Sequence, residues 1–269
     1  MSHATVHYEV RDGIAEILLD CPPVNAITEA LMDGILALLD QASRDRGVKA
    51  VILGSAVPNR FCAGLHLAEM SMASFEKKWE LVDKLYSGLF DAQLRLGKPS
   101  IAAVNGTARG GGMTLAVSCD MLIASDMATF GYPEIDVGVT PAIHYTHLPR
   151  IIGRHRAFDL LFTGRSFGSE EALRLGLVNA VVPESEVLHK ARELARVFCS
   201  KSPLVMQLGR KAFYKAIDIE YRKGVACAVE HFANVAGTAD AIEGMTAFAE
   251  NRRKPVWPSD QSGGAFAKR

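Results

Sequence analysis

The sequence predicts an α/β protein whose C-terminal part is all-helical, and three observations predict it. Short apolar runs closed by glycine, KAVILGS (49–55) and SIAAVNG (100–106), have the pattern of strands buried on both faces of a largely parallel sheet. Amphipathic helical patterns lie between such runs, the alternation of an α/β core, and this continues to about residue 183. Beyond Pro183 the long helical patterns SEVLHKARELARVFCSK and PLVMQLGRKAFYKAI follow one another with no strand-like run before about residue 250. The expected organisation is therefore a core over 1–183, a helical region over 184–258 and a frayed polar tail, SDQSGGAFAKR, over 259–269.

In TVHYEVRDGIAEILLD (5–20), Asp12-Gly13 stands between two β-prone runs, the strongest short-range signal for a hairpin. From Thr28 to Asp45, Leu31, Ile35, Leu38 and Leu39 recur at helical spacing, with Thr28 as N-cap and Glu29 in the first turn. After the strand at 49–55, NRFCAGLHLAEM (59–70) places the small pair Ala63-Gly64 in a loop ahead of another helical pattern. AVNGTARGGGMTLAVSCD (103–120) leaves a strand, turns at Gly106 and enters a helix near Gly111-Gly112, and DMLIAS (120–125) reads as the next strand.

Composition narrows the function. Lys plus Arg equals Asp plus Glu at 30 each in 269 residues, so no global field draws nucleic acid or an anionic membrane surface, and no basic stripe is interleaved with aromatics. Cys21, Cys62, Cys119, Cys199 and Cys227 are odd in number and form no CxxC pair. That argues against a disulfide framework or a zinc site and for small buried hydrophobes in a reducing compartment. MSHATVHYEVRDG lacks the apolar run of a signal peptide, and no stretch approaches the ~20 apolar residues of a membrane span. The expectation is a soluble cytoplasmic protein with no nucleic-acid or membrane partner.

The glycine stretch carries the chemistry. Helix N-terminal N–H groups near Gly111-Gly112 have no intrahelical acceptor, and bare backbone there lets a phosphate, a carboxylate or a developing oxyanion approach closely. GTARGGG (106–112) is not the GxGxxG of a dinucleotide site, and no lysine completes a phosphate-binding P-loop. With the Ala63-Gly64 loop, two strand-to-helix junctions can each aim one backbone N–H at a common point, the arrangement of a two-donor oxyanion hole.

PPVNAI (22–27), RFCAGLHL (60–67), AVNGTARGGG (103–112), CDMLIASDMATFGYPEIDVGVTP (119–141), LFTGRSFGSEEALRLGLVNAVVP (161–183) and GMTAFAENRRKPVW (244–257) occur in this order. Over about residues 5–256 the sequence resembles the crotonase (enoyl-CoA hydratase/isomerase) superfamily. The resemblance implies a spiral of ββα units, a C-terminal helical trimerisation region giving a homotrimer or dimer of trimers, and an acyl-CoA substrate. Coenzyme A enters as part of that substrate, and neither a cofactor nor a metal is implied.

By that similarity the thioester oxygen is held by the backbone N–H groups of Leu65 and Gly111, and Glu134 in FGYPEIDVG is the acid/base. Family hydratases use a second glutamate, at whose position this chain has Thr114, a hydroxyl that is neither acid nor base near neutral pH. One carboxylate suffices for a direct 1,3-proton transfer, so double-bond isomerisation is the preferred step. Hydration by Glu134 with a Thr114-positioned water is the alternative, and an acyl-CoA-binding protein without activity is a second.

The resemblance also places coenzyme A along Val24, Ala26, Ala63 and Leu65, with Phe248, Arg252, Arg253 and Lys254 toward its nucleotide end. Asn251 and Pro22 replace lysines seen in relatives. In VTPAIHYTHLPR (139–150), Ile143, His144 and Tyr145 stand where many relatives carry small residues, so they are expected to reshape the acyl pocket; His144 is an auxiliary acid or base or part of the wall. His66 takes a structural role, and Asp136 is expected on the opposite side of an extended segment from Glu134.

Overall fold

The computed structural model describes residues 5–250, 252 and 254–261. It opens with the expected hairpin. Strands β1 (Thr5–Arg11) and β2 (Ile14–Asp20) pair antiparallel around Asp12 and Gly13, at φ 52° and 79°, the positive values that a type I′ turn requires. In helix α1 (Glu29–Arg44) the Thr28 side chain accepts the Leu31 amide at 3.2 Å as N-cap. Leu31, Met32, Ile35 and Leu39 are buried. Each such side chain contributes about 1.5–3 kcal/mol, and together they hold the helix on the sheet.

The order continues through β3 (Ala50–Ser55), β4 (Arg60–Cys62), α2 (Leu67–Met72), α3 (Phe75–Asp83), α4 (Leu89–Leu96), β5 (Ser100–Val104), β6 (Thr107–Arg109), α5 (Gly111–Val117), β7 (Met121–Ser125) and β8 (Thr129–Gly131). Then come α6 (His144–Ile152), α7 (Arg154–Thr163), β9 (Phe167–Gly168), α8 (Ser169–Arg174) and β10 (Ala180–Val182). The C-terminal part is α9 (Val187–Cys199), α10 (Pro203–Asp218), α11 (Tyr221–Ala236), α12 (Ala239–Ala249) and α13 (Pro258–Gln261).

One sheet runs β1-β2-β3-β5-β7-β10, parallel apart from the hairpin, and a second runs β4-β6-β8-β9, parallel apart from β9. Each of β3, β5 and β7 in the first sheet feeds β4, β6 or β8 in the second, so the chain winds as a spiral of ββα units. The winding sets three loops side by side, because β4, β6 and β8 are parallel neighbours. From their C-terminal ends emerge Ala63–Leu65, Gly110–Gly111 and Tyr132–Glu134. Ligands of open α/β sheets are commonly held at that end of the strands.

The central strands are buried on both faces, as their unbroken apolar runs predict. Val51, Leu53, Ala102, Val104, Leu122 and Ala124 join the main core, whereas the alternating Ala50, Ile52, Ile101, Ala103 and Ile123 pack beneath Val187, Ala191 and Ala195 of α9.

Helix α10 is tied to this core through Asp120. The Arg210 Nε donates to both Asp120 carboxylate oxygens at 3.0 and 2.9 Å, the Ser100 amide donates to Oδ2 at 2.7 Å, and the Tyr214 hydroxyl donates to Oδ1. Arg210→Ala is expected to cost about 2 kcal/mol, the value of a hydrogen bond to a charged group, because Asp120 keeps its other donors. Urea denaturation of the variant measures this, and an unchanged midpoint would refute the assigned role.

The frayed tail needs correction at its start. Ser259 donates from its amide (2.9 Å) and hydroxyl (2.6 Å) to Asp240, a buried carboxylate that also takes the Ser202 hydroxyl, and Lys49 pairs with Asp260 at 2.6 Å. A buried carboxylate demands donors, and α13 supplies them; the rest of the tail, 262–269, lies outside the described residues. Asp136 also differs from expectation. Pro133–Val137 is a turn of 3-10 helix, not an extended segment. Among the described residues no helix is long and apolar enough to cross a membrane, and no cluster of side chains is suited to a metal ion.

Candidate active site

The glycines are required by close approach. A Cβ on Gly112 would lie 2.1 Å from the Cys62 carbonyl oxygen, and one on Gly64, at φ +92°, would lie 2.8 Å from the Arg109 carbonyl oxygen and 3.1 Å from the Gly111 amide nitrogen. Only backbone without side chains lets the loop after β4 lie directly on the start of α5.

That contact brings two amides together. Ile27 and Leu65 form an isolated parallel bridge in which the Ile27 amide donates to the Gly64 carbonyl (2.7 Å) and the His66 amide to the Ile27 carbonyl (2.9 Å). Both bonds use the residues either side of Leu65, so its own N–H points away from the bridge. Gly111 is the first residue of α5, where an amide has no intrahelical acceptor.

Glu134 closes the site from the loop after β8. Its Oε1 would lie 3.2 Å from a Cβ on Gly110, which sits at φ +50°, so the carboxyl group rests on bare backbone one residue from the Gly111 amide. Oε2 is buried with no hydrogen-bond partner. Burial pushes the carboxyl pKa up, only partly offset by its own backbone N–H. Such a group holds and releases a proton nearer neutral pH than a surface glutamate does.

Thr114 and His144 are each 1% exposed and bonded to one another, Oγ1 to Nε2 at 3.1 Å. The Tyr132 ring packs on the imidazole at 4.5 Å, and the Tyr132 hydroxyl is buried and unpartnered. Burial first, and His147 second, hold the His144 pKa down at about 3 against a smaller opposing pull from the Gly110 backbone, so the imidazole is neutral.

This fixes a sign. The folded pKa lies below the ordinary 6.5, so between the two values the unfolded chain binds more protons than the folded one. The corresponding stability is fully present above about 6.5 and is lost as pH falls toward 3. Wild type is therefore expected to lose more stability than His144→Gln between pH 7 and pH 4, as read from denaturation midpoints; equal losses would contradict it.

The other sequence candidates divide. Val24 and Ala63 bond to one another, amide of Ala63 to carbonyl of Val24 at 3.0 Å, and Ala26 lies between Val24 and the Ile27 bridge. Beside this segment a cleft of about 540 Å³ is lined by Ile27, His66, Met70, Ala73 and Lys77 among others. His66 caps α2, its Nδ1 accepting the Glu69 amide at 3.2 Å. Phe248 is exposed on α12.

Two expectations are corrected. Tyr145 does not join His144: it is turned outward and stacks on Phe162 at 5.6 Å, because adjacent residues of a helix face different directions. Arg252 is engaged by its own chain, with Glu243 and Glu250 each at 2.8 Å, so its donors are committed to carboxylates. Asn251 and Arg253 lie outside the described residues. One tyrosine beside His144, Tyr132, was missed, although it was legible as the residue two before Glu134 in FGYPE.

Comparison with known proteins shows the family and the fold. The family described as enoyl-CoA hydratase/isomerase matches residues 9–260. The chain is 36% identical over 249 residues to the short-chain-enoyl-CoA hydratase of Clostridium acetobutylicum, covering 91% of this chain and 94% of that protein. It is 34% identical over 247 residues to the probable mitochondrial enoyl-CoA hydratase 2 of Arabidopsis thaliana, covering 91% and 81%. The crystal structure of an enoyl-CoA hydratase from Bacillus anthracis superimposes with a TM-score of 0.88 at 31% identity, covering 96% of this chain and 99% of that one.

Proposed function

We propose, from the premise that the chain belongs to the enoyl-CoA hydratase/isomerase family, that it moves a proton through an enolate on an unsaturated acyl-CoA thioester, with Glu134 as its single acid and base. One observation carries this reading: the buried, unpartnered Oε2 of Glu134 beside Gly110, at the start of α5, on which the Gly64 loop lies. The thioester carbonyl accepts from the Leu65 and Gly111 N–H groups. Glu134 removes a proton from the α-carbon of a 3-enoyl thioester, the C–H electrons form the enolate, and its negative oxygen is stabilised by the two donors. The same carboxyl group returns the proton to the γ-carbon, and the double bond moves into conjugation. A single oxyanion donor is typically worth about 3–4 kcal/mol of barrier.

Isomerisation is the leading reading because Thr114, which stands where family hydratases carry a second glutamate, is bonded to a neutral imidazole. Hydration is the second reading, favoured by the names of the relatives. Purified protein assayed with crotonyl-CoA and with a 3-enoyl-CoA ranks the two. A protein that only binds the thioester would fail to wash its α-proton into heavy water, and that outcome would defeat the proposal.

Coenzyme A is read as lying along Val24–Ile27 and Ala63–His66, at the rim of the neighbouring cleft. The reading extends to a homotrimer or dimer of trimers. Val225, Val229 and Phe232 stand exposed at helical spacing on α11, and Phe248 on α12, an apolar surface suited to burial by another copy. Light scattering is expected to give three or six times the 29.1 kDa of one chain.

A further inference from the structure

The loop after β4 and the start of α5 meet through bare backbone. Gly64 rests on the Arg109 carbonyl and Gly112 on the Cys62 carbonyl, in contacts that leave no room for a Cβ. Glycine permits the approach but offers no side chain to interlock, so such a contact does not by itself fix how one segment sits along the other. Ile27 supplies what the glycines lack.

Its backbone is joined to the loop. The Ala63 amide donates to the Val24 carbonyl at 3.0 Å, the Ile27 amide to the Gly64 carbonyl at 2.7 Å and the His66 amide to the Ile27 carbonyl at 2.9 Å, so the two segments are tied on both sides of Leu65. Its side chain is joined to the helix. Ile27 is fully buried, and its Cδ1 would lie 3.0 Å from a Cβ on Gly111, with the Leu85 Cδ2 at 3.1 Å beside it. A β-branched side chain is stiff about χ1, so the terminal methyl follows the backbone that carries it.

The segment is itself held. Asn25, fully buried at φ 53°, accepts the Cys21 amide on Oδ1 at 2.7 Å and donates from Nδ2 to the Ser55 hydroxyl at 2.7 Å and the Phe61 carbonyl at 2.8 Å. Ser55 ends β3 and Phe61 lies within β4. The position of Ile27 is therefore set by the sheets and not by the loop alone.

We propose that Ile27 is a positioning residue that sets the spacing of the two oxyanion donors: its backbone holds the Leu65 loop while its δ-methyl braces the first residue of α5, so that both amides address one thioester oxygen. This role rests on the reading of Leu65 and Gly111 as those donors, and it deepens that reading by naming what keeps them converged. Ile27 exchanges no proton with the substrate. Its effect falls on the enolate oxygen, so it acts alike on isomerisation and on hydration, which share that anion.

Ile27→Val, which removes only Cδ1, and Ile27→Leu, which keeps the volume but moves the branch away from the backbone, test this. The probe is butyryl-CoA isotopically labelled at its carbonyl carbon, because a hydrogen bond to that oxygen weakens the C=O bond and lowers its stretching frequency. In wild type the band is expected to fall on binding. In both variants it is expected to return part of the way toward the free thioester, with kcat on crotonyl-CoA or a 3-enoyl-CoA lower by about tenfold, part of what loss of a whole donor costs. Affinity for butyryl-CoA is expected to stay within about threefold, with melting temperature as the check on folding. An unchanged band and kcat in the folded variants overturn the role of Ile27, as does a loss of affinity with the band unmoved; either leaves the enolate reading standing. A wild type that binds butyryl-CoA without moving the band overturns the donor pair as well.

Discussion

Glu134→Gln is expected to lower kcat by about a thousandfold, the middle of the range for a positioned general acid/base, while a non-reactive acyl-CoA analogue binds within about threefold of wild type. The amide keeps the shape of the carboxyl group and the contact with Gly110, but it cannot take a proton. Single-turnover kinetics and a titration with the analogue separate the two effects. Full activity in the variant would eliminate Glu134 as the proton carrier.

The same substitution carries a stability signature of opposite direction. Burial raises the Glu134 pKa in the folded protein, so the folded state holds its proton to higher pH than the unfolded chain does. The stability from this group is present below the unfolded value and is lost as pH rises through the folded one. Glu134→Gln is therefore expected to be at least as stable as wild type at neutral pH, although far less active. That combination marks a group retained for chemistry.

Gly112→Ala is expected to have the other large effect. Its new methyl group would meet the Cys62 carbonyl oxygen at 2.1 Å, and both partners are backbone, so no side chain can swing away. The loop after β4 must lift off α5, which separates the Leu65 amide from that of Gly111. The expected cost is more than about 4 kcal/mol, in the exceptional tail for single substitutions. In whatever fraction folds, kcat is expected to drop by about a hundredfold or more. Gly209→Ala provides the contrast: nothing lies within 4 Å of its added methyl group, and it is expected to be neutral or slightly stabilising. Thermal unfolding of both variants checks the pair, and a well-folded, active Gly112→Ala would contradict the contact.

Parts of the site were legible and parts were not. The loop glycines stand in one contiguous stretch whose consequence depends on backbone alone, so GTARGGG discloses them directly, whereas Glu134 in FGYPE is singled out through the family resemblance. The Thr114–His144 bond joins residues 30 apart and has no local pattern. Tyr145 illustrates the same limit, since one position along α6 decides whether a side chain enters the interior or stacks outside on Phe162. Arg252 was misjudged because Glu243 and Glu250, an ordinary pair of surface acids in the sequence, fold back onto it.

By itself the sequence determined the hairpin and the helix after it, the two-faced burial of β3, β5 and β7, the helical C-terminal part and the glycine junctions, because alternation, capping and the absence of a Cβ are properties of neighbouring residues. Only the tertiary structure decided that β4, β6 and β8 lie in one sheet and so bring three loops to one point. It alone decided that the imidazole of His144 is buried between Thr114 and Tyr132. Burial and long-range register set those outcomes, and both depend on how separated segments pack, which no stretch of residues encodes alone.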